Sequence, residues 1–298
     1  MLHAISISRP VKERLQERAF TGRVLSVHRL VCNLIDDGRD VITLSGPSVG
    51  QGPFSITLEP AFEGLTAGDA AHANAERLVV GGLTAMLDGA PTWEPRPDWP
   101  RLRPAREGVA AGFRAFDGWD SSAIWGGLAH ITGADQYSEG KPAFMARLAR
   151  GKEAYSRLIV AGLGEGNREA LAQGARLLAG LGPGGTPAGD DFLVGVMAAI
   201  WLLGEAVDAH AIARTAAPRT SALSAAFLRA AGLGEFIAPW HALLEALASA
   251  GLAQVEEAAM RLERFGASSG ADALDGFILA GRCLLANHTP SRQAEESE

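Results

Sequence analysis

Two adjacent carboxylates close a glycine-rich segment in the second half of the chain. Asp190 and Asp191 follow Gly180-Leu-Gly-Pro-Gly-Gly-Thr-Pro-Ala-Gly and precede an apolar run from Phe192 to Leu203. Glycine and proline at this density break regular structure, whereas the apolar run is typical of a buried helix. A helix start favours carboxylates and, where glycine leaves backbone N–H groups accessible, an anion. We therefore predict a loop followed by a helix whose first turn places two acids and backbone N–H donors close together.

A second copy of this pattern lies near the end of the chain, in Gly266-Ala-Ser-Ser-Gly-Ala-Asp-Ala-Leu-Asp-Gly. Four matching pairs have the same separation in sequence: Gly189 with Gly270, Asp191 with Asp272, Leu193 with Leu274, and Gly195 with Gly276. The constant separation predicts two copies of one loop-to-helix device. We expect the two helix starts to face a common cleft.

The acids are candidate catalytic residues, and the small and hydroxyl residues around them are candidate ligands for a substrate or anion. The candidate catalytic residues are Asp190, Asp191 and Asp272, and the candidate ligands are Gly184, Gly185, Thr186, Gly189, Thr220, Ser221, Ser268, Ser269 and Gly270. The alternative is structural, because an acid in the first turn also caps a helix and complements its dipole. Capping needs one such residue, whereas here an acidic pair follows a segment rich in glycine.

The local charge limits what such a site can bind. No Lys or Arg lies between Arg176 and Arg214, so an anion would face Asp190 and Asp191 without a nearby cation. Backbone N–H groups, a Mg²⁺ ion held by the aspartates, or Arg219 could supply the missing positive charge. Alternatively, the carboxylates accept hydrogen bonds from the NH₂ group of a substrate amide while N–H groups hold its anionic end. No cofactor follows with certainty from these residues.

Composition argues against several classes of protein. A net charge of −7 without basic stripes argues against nucleic-acid binding. The longest apolar run is too short to cross a bilayer and no signal peptide is visible, which predicts a cytoplasmic protein without a membrane partner. The cysteines and histidines show no metal-ligand spacing, so no zinc site is predicted. The Gly-x-Gly-x-x-Gly string that begins at Gly180 follows a helical pattern, whereas a dinucleotide fingerprint follows a strand.

The order of hydrophobic patterns predicts an α+β chain. Short alternating runs and a two-glycine turn at Gly81-Gly82 predict an N-terminal antiparallel β barrel or sandwich, with a first helix over Val11 to Arg18 ahead of it. The predicted parts are a β-rich domain (1–93), a stiff proline-rich connector (94–104), a mainly helical domain with both motifs (105–288) and a disordered polar tail (289–298).

At Gly184-Gly-Thr-Pro-Ala-Gly-Asp-Asp-Phe-Leu-Val-Gly the sequence resembles the AllH-like family, named for a subunit of bacterial oxamate carbamoyltransferase. The resemblance covers most of the chain and includes Gly52-Pro-Phe-Ser-Ile, Thr220-Ser-Ala-Leu-Ser and Gly270-Ala-Asp-Ala-Leu-Asp-Gly. Two positions depart from the family pattern. Gly185 stands where an apolar residue is usual, and Ala267 stands where a His is frequent, so no role of that His is carried over.

The resemblance implies carbamoyl transfer between carbamoyl phosphate and an amide-bearing acid such as oxamate, in purine or allantoin catabolism. It also implies protein partners, because that enzyme is a complex of several different subunits. Both substrates carry an NH₂ group and an anionic end, which suits the acids and N–H donors described above. Two functions stay open: a catalytic subunit whose aspartates orient NH₂ groups or a metal, and a non-catalytic assembly or regulatory subunit.

Overall fold

The computed structural model describes residues 2–59, 62–119, 149–249 and 251–287. By its contacts the chain divides into two compact units, one of residues 1–97 and 235–242 and the other of residues 98–234 and 243–298. The predicted tail (289–298) lies outside the described residues, as do residues 120–148 of the predicted helical domain. The four-part division proposed from the sequence therefore stays a prediction.

The first unit is built on one sheet of ten strands. In chain order they are β1 (Leu2–His3), β2 (Ser6–Ser8), β3 (Phe20–Val27), β4 (Val31–Asp36), β5 (Val41–Ser45), β6 (Ser55–Thr57), β7 (Ala70–Ala73), β8 (Arg77–Val80), β9 (Leu83–Met86) and β10 (Thr92–Trp93). Across the sheet the order is β1-β9-β8-β7-β3-β4-β5-β6-β2-β10. The sheet is mixed, because β1 with β9, β5 with β6 and β2 with β10 run parallel while the other neighbours are antiparallel.

Local sequence accounts for the clearest hairpin and for the first helix. Strands β8 and β9 pair antiparallel around Gly81, whose φ of 53° lies in the left-handed region that glycine adopts without strain. Helix α1 (Arg9–Glu17) has a proline in its first turn and buries Val11 and Leu15 in the core of the sheet. Both the hairpin and the helix are confirmed.

The second unit is helical in the part that the structure describes. Its α-helices are α2 (Trp99–Leu102), α3 (Arg106–Gly112), α4 (Arg168–Leu178), α5 (Ala188–Leu203), α6 (Ala206–Ala216), α7 (Ala222–Gly232), α8 (Ala238–Ala248), α9 (Leu252–Glu263) and α10 (Ser269–Ala286). The first part of α8 belongs to the first unit. A π-helix (Ser156–Gly164) precedes α4, and short 3₁₀ segments follow α3 and α6. Between residues 2 and 287, wherever the structure is described, no helix is both long and apolar enough to cross a membrane.

The α+β class is confirmed, and two features refine it. The sheet contains the three parallel pairs in addition to the antiparallel pairs that the sequence predicts. The proline-rich connector contains the short helix α2, because its proline occupies the first turn, where a missing N–H leaves no hydrogen bond unmade. Trp99 of this helix is buried, stacks on Trp201 and donates its indole N–H to the carbonyl oxygen of Gly234 at 3.0 Å.

Candidate functional site

The site lies where α5 and α10 cross, and two glycines make the crossing tight. A Cβ atom on Gly195 would lie 1.7 Å from the carbonyl oxygen of Ala273, and one on Gly276 would lie 2.1 Å from that of Phe192. No side chain fits at either position, so the backbones touch. Asp191 and Asp272 each lie four residues before one of these glycines, which places each acid on the contacting face of its helix, one turn nearer the N-terminus.

A second pair of glycines brings each helix start against the helix that precedes it. A Cβ atom on Gly189 would lie 2.3 Å from the carbonyl oxygen of Leu178, the last residue of α4. One on Gly270 would lie 1.8 Å from the carbonyl oxygen of Leu262 near the end of α9. These two glycines, predicted as ligands for an anion, therefore have a packing requirement of their own.

The backbone donors at the start of α5 are already used. Gly189 N–H donates to the carbonyl oxygen of Leu181 at 2.8 Å, while Asp190 and Asp191 N–H donate to that of Pro187 at 2.8 and 3.2 Å. In α10 the N–H of Gly270 donates in the same way, to a loop carbonyl at 2.9 Å. The predicted anion site in the first turn of α5 would have to compete with these bonds, so side chains are the better candidates for ligand contacts.

Asp190 is held by the protein itself. Its side chain is 1% exposed, and its Oδ1 accepts the N–H of Gly180 at 3.0 Å. Its Oδ2 accepts the hydroxyls of Ser224, at 2.8 Å, and of Thr220. Burial raises the pKa of Asp190, and the bonds from Thr220, Gly180 and Ser224 lower it. The carboxyl thus ties the glycine-rich loop to the start of α7, which is a structural task.

Asp191 differs from its neighbour because one of its oxygens has no protein partner. The side chain is 7% exposed, and Oδ2 is buried without a hydrogen bond from any residue that the structure describes. Burial raises the pKa of Asp191 to about 8. Hydrogen bonds with Ser269 and Thr186 act against this rise, while the charges of Asp272 and Asp190 add to it. This oxygen can accept a hydrogen bond, or donate one when the carboxyl is protonated.

The two glycine loops meet directly beside these acids. The hydroxyl oxygens of Thr186, from the first loop, and Ser269, from the start of α10, lie 3.1 Å apart, and both side chains are half-buried. Asp272 is 4% exposed and close enough to Asp191 to raise its pKa. The two loops and two of the acids therefore lie close together, and Thr186 and Ser269 join the loops. That the helix starts face a common cleft stays a prediction.

The remaining predicted ligands lie further out. Gly184, with a φ of 90°, and Gly185 are exposed, and space around both is open. Ser221 caps α7 by accepting the N–H of Ser224 at 3.1 Å, and its hydroxyl donates to the carbonyl oxygen of Gly185. Ser268 precedes α10 and is exposed, with no capping bond from its side chain. Thr220 belongs with Asp190, as described above.

In the described ranges, no three His, Cys, Asp or Glu side chains are grouped so that they could hold a metal ion. At this site both oxygens of Asp190 are engaged by hydroxyls and a backbone N–H. Among the described acids here, Asp191 and Asp272 are the candidate ligands for a cation such as Mg²⁺.

Comparison with known families decides the relationship of the chain. A model of the AllH family N-terminal domain matches residues 3–92, and a model described as oxamate carbamoyltransferase subunit AllH matches residues 178–281. The chain belongs to the AllH family. A search of curated proteins finds no match, and neither does a search of solved structures. The second matched region of this AllH-family chain contains both loops, all three acids and the glycine crossing.

The sequence analysis did not predict Ser224, whose hydroxyl donates to Asp190 at 2.8 Å. The sequence does show that Ser221 and Ser224 are spaced as the cap and the third residue of a helix, which predicts the start of α7. It does not show that Ser224 faces Asp190, because that contact depends on how α7 packs beside α5.

Proposed function

We propose that this chain is a carbamoyltransferase subunit that binds a small amide-bearing acid between Asp191 and Asp272. The observation that carries the proposal is the buried Oδ2 of Asp191, which has no hydrogen-bond partner among the described residues. A buried polar group without a partner costs about 1–3 kcal/mol, and more when charged, so a ligand that supplies a donor gains that much. An amide NH₂ group supplies two donors.

The protonation of Asp191 suits recognition of an amide. Because its pKa is about 8, the carboxyl is largely neutral at pH 7. A neutral carboxyl can donate its O–H to the carbonyl oxygen of an amide while it accepts an N–H from the same group. Both oxamate and carbamoyl phosphate contain an NH₂ group next to a carbonyl. The family description names oxamate, which is one of the two molecules this pairing fits.

The reaction would be a transfer between two such molecules. The amide nitrogen of the acceptor attacks the carbonyl carbon of carbamoyl phosphate, forming a C–N bond. The bond from that carbon to the bridging oxygen breaks, and phosphate leaves with the electron pair. The proton lost from the nitrogen passes to a carboxylate at the site or to the leaving phosphate. The contribution of the protein is positioning, with Asp191 and Asp272 orienting the NH₂ groups.

The anionic end of the substrate needs a different partner. The N–H groups at the start of α5 are bonded to carbonyl oxygens, and the segment between Arg176 and Arg214 contains no cation. Among the described residues next to the acids, the hydroxyls of Thr186 and Ser269 and the open backbone of Gly184-Gly185 are candidate contacts. Arg219 or other subunits of the complex would supply any further positive charge.

The occupied N–H groups also favour a second candidate, a non-catalytic assembly or regulatory subunit whose loop packs on a partner. In that case the unpaired oxygen of Asp191 meets a donor from another subunit. Asp191→Asn would then weaken copurification with the other subunits and leave ligand binding unchanged.

Isothermal titration separates the two functions. The full-length chain is titrated with oxamate and with carbamoyl phosphate, each with and without Mg²⁺, and compared with Asp191→Leu and the control Glu169→Gln. Leu has a similar size but removes both the hydrogen-bond donor and the acceptor. Glu169 is an exposed acid in the first turn of α4, so the control alters an acid away from the site. We expect the affinity for at least one of the two ligands to fall about tenfold or more in Asp191→Leu and to be unchanged in the control. No heat with either ligand would reject the catalytic role, and heat only with Mg²⁺ would assign the acids to a metal.

A further inference from the structure

The site is built from two copies of one unit, and the contacts between them are reciprocal. Gly195 of α5 meets Ala273 of α10, and Gly276 of α10 meets Phe192 of α5. Gly276 is as far from Gly195 in sequence as Ala273 is from Phe192. Each contact is therefore the image of the other, as at an interface with two-fold symmetry. Asp191 and Asp272 are separated by the same interval and so are also equivalent.

The elements that lead into these helices are equivalent as well. Gly189 approaches Leu178 and donates its N–H to Leu181, whereas Gly270 approaches Leu262 and donates its N–H to the equivalent carbonyl, that of Phe265. The predicted repeat is thus a structural one, and α4 with α5 corresponds to α9 with α10.

The two helices match, whereas the loops that precede them differ in length. Eight positions separate Leu181 from Gly189, against five from Phe265 to Gly270, so the first loop is three residues longer. The extra length falls within residues 182–187, which contain the exposed Gly184-Gly185 and the Thr186 that reaches Ser269. The repeat therefore presents two equivalent acids beside two unlike loops.

We propose that the two copies are two half-sites that bind two similar substrates side by side, carbamoyl phosphate at Asp191 and oxamate at Asp272. This inference rests on the proposed function and adds to it the place of each substrate. Both molecules present an NH₂ group and a carbonyl to an acid, so equivalent acids suit them. They differ in the anionic end, and the longer loop beside Asp191 offers more open backbone to the larger phosphate. The unpaired buried oxygen of Asp191 is the independent sign that a ligand belongs there.

The test compares Asp191→Leu with Asp272→Leu in the full-length chain, because Leu removes both the hydrogen-bond donor and the acceptor. Binding of oxamate and of phosphonoacetamide, an analogue of carbamoyl phosphate whose bridging oxygen is replaced by a methylene, is measured by isothermal titration. Asp191→Leu should weaken the analogue about tenfold or more and leave oxamate within about twofold, and Asp272→Leu should do the reverse. Glu169→Gln should change neither. Circular dichroism confirms that each variant is folded.

A competition experiment on the unmutated chain tests the same idea without substitutions. Two half-sites predict that saturating oxamate leaves the affinity for the analogue intact, with one of each bound per chain. Mutual displacement, or equal losses of the same ligand in both aspartate variants, would mean one shared site; the half-site proposal then fails while the proposed function stands. No binding of either molecule would reject both.

Discussion

Replacing Asp191 with Asn should stabilise the protein, and the gain should grow with pH. The pKa of this carboxyl is about 8 in the folded protein against an ordinary value of 3.8. A raised pKa means that the folded state holds its proton more tightly than the unfolded state does. The stability that this group contributes is therefore complete below about pH 3.8 and is lost as pH rises towards 8. Asn has a similar shape and cannot ionise, so its contribution to stability does not change over this pH range.

The magnitude follows from the two pKa values. From these values, the free energy of unfolding of the unmutated chain should fall by about 4 kcal/mol between pH 5 and pH 8.5 because of Asp191. Entry of water into the ionised site would reduce this loss to about 2 kcal/mol. The difference in free energy of unfolding between Asp191→Asn and the unmutated chain should widen by this amount. Urea unfolding followed by circular dichroism at both pH values measures it, with Glu169→Gln as the control that should track the unmutated chain. Parallel pH dependences of the unmutated chain and Asp191→Asn would refute the reasoning.

Two further substitutions test the contacts that build the site. Gly195→Ala places a Cβ atom 1.7 Å from a carbonyl oxygen of α10, so thermal unfolding should show a loss of about 3 kcal/mol or more, whereas Gly185→Ala, with open space around it, should stay within about 0.5 kcal/mol. Equal melting temperatures of these two variants would contradict the tight crossing. Ser224→Ala removes a hydroxyl from Asp190 and should lower the free energy of unfolding by about 1.5–3 kcal/mol in urea at pH 7. A change below about 0.5 kcal/mol would show that Thr220 and Gly180 suffice.

Much of the site could be predicted because its determinants are local. Glycine and proline mark the loop, the apolar run marks α5, and the interval of four residues between Asp191 and Gly195 places both on one helix face. The constant separation of the four matching pairs then extends the argument to α10. The hairpin at Gly81 and the helix α1 follow from turn and capping residues in the same way.

What could not be predicted depends on neighbours distant in sequence. Asp190 and Asp191 look alike in the sequence, yet successive helical residues point about 100° apart. One therefore faces Ser224 of α7 and the other faces α10, and only the packing of three helices decides which. The carbonyl oxygens that occupy the N–H groups at the start of α5 are likewise fixed by the loop conformation. The parallel strand pairs join segments up to about 85 positions apart, beyond the reach of alternation patterns.

The raised pKa of Asp191 bears on why an acid is present at all. An ionisable group whose charged form weakens the fold near and above neutral pH is a poor choice for structure, and asparagine would fit the same space. Natural proteins keep such groups where function needs them. Asp191→Leu, which can neither ionise nor pair with an amide, should therefore have opposite effects on two quantities, raising the free energy of unfolding at pH 8.5 while weakening ligand binding. Misfolding cannot produce that combination, so finding it would separate the chemistry of Asp191 from its part in the fold.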